Sequence, residues 1–257
     1  SASQGSMGIV TWASVKLETA IKEEKPLFVE GSSVDELADF LYKTLKFRFG
    51  DEVCVFNKKA MASILAEDAA GMKAIESKTA QWTALVDIRW GALRAKEKIA
   101  VQEADVADIA QEFGLNTKNT IADIPGIQVS NKILAADGSN NWKTKSTGAA
   151  KEIFFLSTID KISDQLKKAA AVADKNGYSL SECPVYLQPL HQGASLHCHI
   201  ILPVTEESEA METLYNEMSE ELFAAGAFFS RPYGVWADIV YKSNTQHTNM
   251  TNKMKDI

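Results

Sequence analysis

The sequence predicts an α+β fold, a ferredoxin-like arrangement of antiparallel sheet strands covered by helices. Three observations carry this. Short apolar runs rich in β-branched and aromatic residues alternate with longer segments of helical spacing. Their order, roughly βαβ…α and then βαββα, is that of split-βαβ units. The composition is 46% hydrophobic and 24% charged over 257 residues, an ordinary globular balance able to bury one large core or two smaller ones.

The elements follow in order. The opening Ser1 to Leu17, with Met7 inside it and Ile9, Val15 and Leu17 among Thr, Trp and Ser, reads as a strand led by a Gly-rich turn. Pro26 to Glu30 is a short strand. Ser33-Val-Asp-Glu36 offers a capping box, a hydroxyl for the N3 amide with a carboxylate reaching back. Val34, Leu37, Leu41 and Leu45 then hold helical spacing, and Gly50 is a stop. Glu52 to Phe56 is a strand, Ala60 to Ala74 a helix, and Thr83 to Trp90 a strand. Leu93 to Phe113 is an Ala/Glu/Lys-rich helix ending at Gly114. Residues 115–150 form a long irregular segment with a short helix around Gln128 to Leu134, and read as a lid or gate.

The second half repeats the alternation. Glu152 to Leu156 is a strand, and Ile159, Ile162 and Leu166 mark a helix closed near Gly177. Pro184 to Leu190 and Ser195 to Pro203 are strands able to pair. Thr205 is placed to cap a helix with Met211, Leu214, Met218 and Leu222 on one face, ended by Gly226. Trp236 to Tyr241 and Thr245 to Ile257 are helical. No fixed-period repeat appears.

Composition narrows the function. A net charge of −7 argues against a broad nucleic-acid surface, which needs clustered Lys and Arg. Cys54, Cys183 and Cys198 form no CxxC and no disulfide framework, so a reducing, cytoplasmic setting is expected. The longest apolar run, Leu222 to Phe229, is too short to span a bilayer, and no signal peptide is visible. The chain lacks an initial Met and stops within a helical pattern, so the expectation is a domain cut from a longer protein.

No GxGxxG, P-loop or HExxH motif is present. Three of the four histidines fall at His191, His197 and His199. If Ser195 to Pro203 is a strand, Leu196, Cys198, Ile200 and Leu202 face helices, while His197, His199 and Ile201 share the other face. The two imidazoles then stand about 7 Å apart, with His191 able to approach from a turn. This pattern suits proton transfer or anion or metal binding, and equally suits a half-solvated sheet face with ordinary histidines. A metal lacks a local third ligand.

Gly226-Ala-Phe-Phe-Ser-Arg-Pro-Tyr-Gly234 is the second candidate. Phe228 and Phe229 suit a core, Arg231 suits a carboxylate through its planar fork, and Tyr233 can donate a hydrogen bond or take a proton. The third is Asn141-Trp-Lys-Thr-Lys145, where an aromatic beside Lys can line a pocket or simply face solvent.

Three segments in order carry a family resemblance. Ser3-Gln-Gly-Ser-Met-Gly-Ile-Val-Thr11 resembles the end of the FAD-binding domain in flavoproteins of the vanillyl-alcohol oxidase type. His191…Gly193…Leu196-His197 resembles the His-rich strand of the FAD-linked oxidase C-terminal domain, as in D-lactate and glycolate dehydrogenases. Gly226 to Gly234 and the helices after it resemble that domain's last third.

The resemblance implies a substrate (cap) domain spanning residues 21–257, preceded at 1–20 by the terminal piece of an FAD-binding domain that lies upstream. It implies FAD as cofactor, a small hydroxy acid or phenolic alcohol as substrate, and hydride transfer to flavin while a cap residue handles the proton. An electron-transfer partner is a further implication. Gly5, Gly8, Ile9 and Thr11 would then lie near the flavin, His197 would match the family's strand histidine, and His191 the one before it. Tyr233 and Pro232 stand where hydroxy-acid members carry His and Glu. No metal site using that Glu is therefore expected, and Arg231 and Tyr233 are expected to orient an acid or phenol. Two other readings stay open: a non-catalytic ferredoxin-like ligand-binding or regulatory module, and a stand-alone His-based metalloenzyme.

Overall fold

A computed structural model describes residues 9–17, 19–134, 142–145, 148–206 and 208–255. The elements run β1 (Glu23–Gly31), α1 (Val34–Lys46), β2 (Glu52–Asn57), α2 (Lys58–Leu65), α3 (Ala69–Lys78), β3 (Trp82–Trp90) and α4 (Ala95–Glu112). There follow β4 (Thr117–Lys118), β5 (Thr120–Ile121), β6 (Ile124–Pro125) and α5 (Gly126–Leu134). The second half holds β7 (Ala149–Ser157), α6 (Ile162–Lys175), β8 (Val185–Leu190), β9 (Ser195–Val204), α7 (Glu209–Ala224), α8 (Val235–Ser243) and α9 (Thr245–Lys255).

Seven strands form one sheet in the order β4-β1-β3-β2-β8-β9-β7, with β5 and β6 as a separate ribbon. Every pairing between these strands is antiparallel. The sheet is two βαββα units, β1-α1-β2-β3-α4 and β7-α6-β8-β9-α7, joined where β2 meets β8. In each unit the third strand lies between the first two. This is the ferredoxin-like α+β fold the sequence predicts.

One face of the sheet is covered along its whole width. Leu37, Phe40 and Leu41 of α1, Val106 and Ala110 of α4, Leu166 and Ala169 of α6 and Leu214, Met218 and Leu222 of α7 are buried in one core. Leu196, Cys198, Ile200 and Leu202 meet it from β9, as their period-two spacing requires. The other face is sealed over the first unit only. There Met61, Ile64 and Leu65 of α2 and Val129 of α5 close on Phe28, Cys54, Phe56 and Leu85.

Several expectations are corrected. Residues 9–17 carry no regular structure. Ile9, Val10, Trp12, Val15 and Leu17 are exposed, and among the described residues no strand pairs with them, whereas a strand needs a neighbour's hydrogen bonds. The helix expected over Ala60 to Ala74 is two helices. Asp68 caps the second, its side chain accepting from the Gly71 amide at 2.7 Å. Gly50 does not close α1; Phe47 does, and Gly50 at φ 79° turns the chain into β2. Ser33 Oγ accepts from the Glu36 amide as expected, but the Glu36 carboxylate accepts from the Ser32 amide and hydroxyl instead of the Ser33 amide. Ser208, not Thr205, caps α7. The segment expected as a lid is partly packed structure, with Ile121 and Val129 fully in the core.

Among the described residues no helix is long and apolar enough to cross a membrane. All three cysteines are free and buried. Burial pushes the Cys54 and Cys183 thiols up to about 12 and Cys198 further still, so they stay protonated.

Candidate functional site

The sheet face left open over the second unit is where the predicted residues gather. Burial alternates along β8 and the start of β9: Val185, Leu187, Leu196 and Cys198 are buried, while Tyr186, Gln188 and His197 on the opposite face are half-buried. Farther along β9 that face closes, with His199 and Ile201 buried. Register then decides which side chains meet. His199 lies directly between Phe154 on β7 and Tyr186 on β8. His197 lies two residues along, between Leu156 and Gln188. Directly opposed side chains across antiparallel strands sit close enough to touch.

The result is a cluster of four rings. The imidazoles of His197 and His199 have centroids 5.8 Å apart, nearer than strand spacing alone suggests. Tyr186 lies 5.7 Å from His197 and 5.2 Å from His199. Phe154 lies 6.1 and 5.6 Å from the same two rings. Trp142 meets Tyr186 edge-on at 6.0 Å. Of the Asn141–Lys145 candidate, Asn141 is outside the described residues, Lys143 joins the site, and Lys145 Nζ donates to the Ala66 carbonyl at 2.6 Å.

Charge is arranged around His199. Glu152 is its diagonal neighbour on β7, opposite Ile201. Its Oε2 lies 2.6 Å from His199 Nε2 and 2.8 Å from Lys143 Nζ. His199 Nδ1 and the Tyr186 hydroxyl are 3.4 Å apart. His199 and then Lys143 hold the Glu152 carboxyl down at about 2, against the opposing effect of burial. Burial lowers the affinity of His199 for a second proton despite Glu152. Burial, with His199, Arg231 and Lys143 adding to it, lowers His197 to about 4. Both imidazoles are therefore neutral at pH 7, and Glu152 is an anion.

The Gly226–Gly234 corner borders the same face. Gly226, at φ 85°, ends α7 and turns the chain back so that Phe228 pairs its backbone with Leu156 on β7. Phe229 enters the core against Trp236 at 4.8 Å, while Phe228, expected in the core, is exposed. Arg231 Cζ stands over the Phe154 ring at 5.5 Å, within cation–π range. Among the described residues no carboxylate pairs with it. Tyr233 is half-exposed, 6.1 Å from Phe154 and 4.8 Å from Trp236. Burial raises its proton affinity, so its hydroxyl is protonated at pH 7. Beside it a cleft of about 490 Å³ is lined by Glu152, Phe154, Tyr215, Tyr233 and Val235 among others.

The structure thus brings together His197, His199, Arg231 and Tyr233. His191 occupies the turn between β8 and β9, and only its backbone is described. Gly5 and Gly8 lie outside the described residues, and Ile9 and Thr11 are exposed in the irregular N-terminal segment. Sequence reasoning missed Glu152, Phe154 and Tyr186. Each stands at an alternate position of a strand, the one signal that could have placed them on the histidine face. Among the described residues no group of three His, Cys, Asp or Glu side chains is placed to hold a metal ion.

No known family model matches this chain, and no curated protein does. Solved structures do. The chain is similar to 4-ethylphenol oxidase from Gulosibacter chungangensis, solved as an isoeugenol complex, with a TM-score of 0.67 and 15% identity over 91% of this chain and 51% of that one. It is also similar to alkyldihydroxyacetonephosphate synthase in a P1 crystal, with a TM-score of 0.55 and 10% identity over 96% of this chain and 46% of that one. At these identities the likeness is one of fold, and it is the fold that the resemblance implied. The chain spans about half the length of either protein.

Proposed function

We propose that this chain is the substrate (cap) domain of an FAD-dependent oxidoreductase that oxidises a small hydroxy acid or phenolic alcohol. One observation carries the reading: the open sheet face, with its rings and an Arg231 that has no carboxylate partner among the described residues, on a fold shared with 4-ethylphenol oxidase. Residues 21–257 form the cap, and residues 1–20 belong to the end of a flavin-binding module. The chain's own chemistry is consistent with that division. It carries neither a GxGxxG nor a P-loop motif, in keeping with a flavin held mainly by an upstream module. A half-buried aromatic face suits a planar ring approaching from outside. Gly5, Gly8, Ile9 and Thr11 would lie beside that ring.

When bound, flavin supplies the acceptor for a hydride from the substrate C–H. The cap does the rest. Arg231 binds a carboxylate or phenolate, and Tyr233 donates a hydrogen bond to it. Phe154 and Tyr186 hold the substrate's carbon skeleton. The substrate hydroxyl meets Tyr186 next to the neutral imidazoles of His197 and His199, with His191 in the hairpin turn between β8 and β9. Excluding water strengthens each of these contacts.

The test is an absorption spectrum of the whole protein that contains this chain. Flavin bands are expected, bleached without oxygen by a hydroxy acid or a phenolic alcohol. Arg231→Ala should raise KM about 10- to 100-fold, the worth of a charged hydrogen bond. A colourless whole protein that takes up no flavin overturns the reading and leaves a ligand-binding module.

A further inference from the structure

We infer that Glu152 is a positioning residue. It keeps the single proton of His199 on Nε2 and turns the Nδ1 lone pair to Tyr186, so that the Tyr186 hydroxyl takes the proton of a substrate hydroxyl. The inference rests on reading this face as a substrate site.

The geometry begins at Glu152 Oε2 and His199 Nε2, 2.6 Å apart. The contact is too bent for an ideal hydrogen bond, but its length decides the matter. Two lone pairs at that distance would repel, so the carboxylate favours the tautomer that carries its proton on Nε2. Lys143, 2.8 Å from the same carboxylate oxygen, keeps the carboxylate ionised, which leaves that proton on the ring. A neutral imidazole protonated on Nε2 has a bare Nδ1. Nδ1 faces the Tyr186 hydroxyl at 3.4 Å, a long contact of the kind that shortens when a site fills.

His197 has no such arrangement. It lies somewhat farther from Tyr186, 5.7 Å against 5.2 Å, and among the described residues no carboxylate pairs with it. A proton delivered to a buried imidazole needs a counter-charge, and among the described residues of this face only His199 has one. The charged and titratable groups around His199 are Glu152, Lys143, Tyr186 and His197, with Arg231 beyond Phe154.

The proton step balances. The substrate O–H bond breaks as a new O–H bond forms on Tyr186, while the original Tyr186 proton passes to His199 Nδ1. A neutral hydroxyl and a neutral imidazole become a substrate oxyanion and an imidazolium. The imidazolium lies against Glu152, and Arg231 offers positive charge to the oxyanion side. Burial raises the Tyr186 phenol to about 12, so it passes the proton through without remaining ionised.

Nitrogen-15 spectra of the four imidazoles in the 257-residue chain test this directly, with His197→Gln and His199→Gln used for assignment. The expected result is a His199 ring protonated on Nε2 alone at neutral pH. Folded Glu152→Gln should move much of that proton to Nδ1, since an amide can donate to Nε2. Tyr186→Phe should shift the Nδ1 resonance and leave the tautomer in place. A His199 proton on Nδ1 in the parent chain, or an unchanged tautomer in folded Glu152→Gln, overturns the inference. If Glu152→Gln does not fold, an unmoved Nδ1 resonance in Tyr186→Phe does so instead. None of these readouts needs flavin, so they stand apart from the reading above. In the flavin-loaded whole protein, Glu152→Gln and Tyr186→Phe should each slow bleaching about 100-fold with little change in KM. Unchanged rates would refute the proton path even with the tautomer as expected.

Discussion

The two βαββα units share a topology and differ in what happens between their last two strands. In the first, residues 58–81 between β2 and β3 fold into α2 and α3, and with α5 the far side of the sheet is closed. Consequently β3 is buried without a break from Thr83 to Ile88. In the second, β8 and β9 are joined by residues 191–194 alone, and on their far side Tyr186, Gln188 and His197 stay half-buried. The extra chain of the first unit seals one face, and the second unit leaves the corresponding face without such a cover. Each face holds a buried polar group from its central strand. Under α5, Asp87 is held by Ser130 at 2.7 Å and Arg89 at 3.0 Å, with Glu24 also on Arg89. On the open face stands His199.

The largest test of this contrast is side-chain truncation. Phe28→Ala, beneath the sealed face, should cost about 3–5 kcal/mol. Phe154→Ala, on the open face, should cost about half as much, because water already reaches part of its ring. Urea midpoints measure both, and equal losses would break the comparison.

The pH dependence should differ in sign. Burial raises the Asp87 carboxyl to about 7, with the neighbouring Glu24 adding to it and Ser130 and Arg89 opposing. The folded state therefore binds its proton more tightly than the unfolded chain, and this contribution to stability is lost as pH rises from about 4 to about 7. His197 is shifted the other way, to about 4. The unfolded chain takes the proton first, and stability is lost as pH falls from about 6.5 toward 4. Asp87→Asn should flatten the first slope and His197→Gln the second. Thermal melts across that range decide it, and parallel slopes in the two variants count against the assignment.

The smallest effect concerns matching helices. α1 is capped by Ser33, whereas α6, its counterpart, begins at Lys161 without a side-chain cap. Ser33→Ala should cost about 1 kcal/mol, and Lys161→Ala should stay within about 0.5 kcal/mol. A comparable loss at Lys161 would reveal a contact there that the helix end does not show.

Element types were largely legible, because periodicity and caps are local. The apolar spacing of Val34, Leu37, Leu41 and Leu45 specifies α1, and the alternation in Ser195 to Pro203 puts His197 and His199 on one face of β9 before any partner strand is known. The errors lie where local signals compete. Thr205 and Ser208 are both able to cap, and only packing selects the second. Residues 9–17 have strand-like composition but no neighbour in the sheet.

The amino-acid sequence alone thus determined which residues share a side of each strand, and that an Arg–Tyr corner follows α7. It did not determine that Glu152 reaches His199, that Tyr186 stands across from it, or that α2 and α5 close one half of the sheet and leave the other open. Those outcomes follow from strand order and register, which join residues as far apart as β7 and β9, or β2 and β8. Side-chain alternation repeats every two residues and needs only the strand itself. Register is set by the combined burial of many distant pairs, so only the tertiary structure decided which groups became chemical partners.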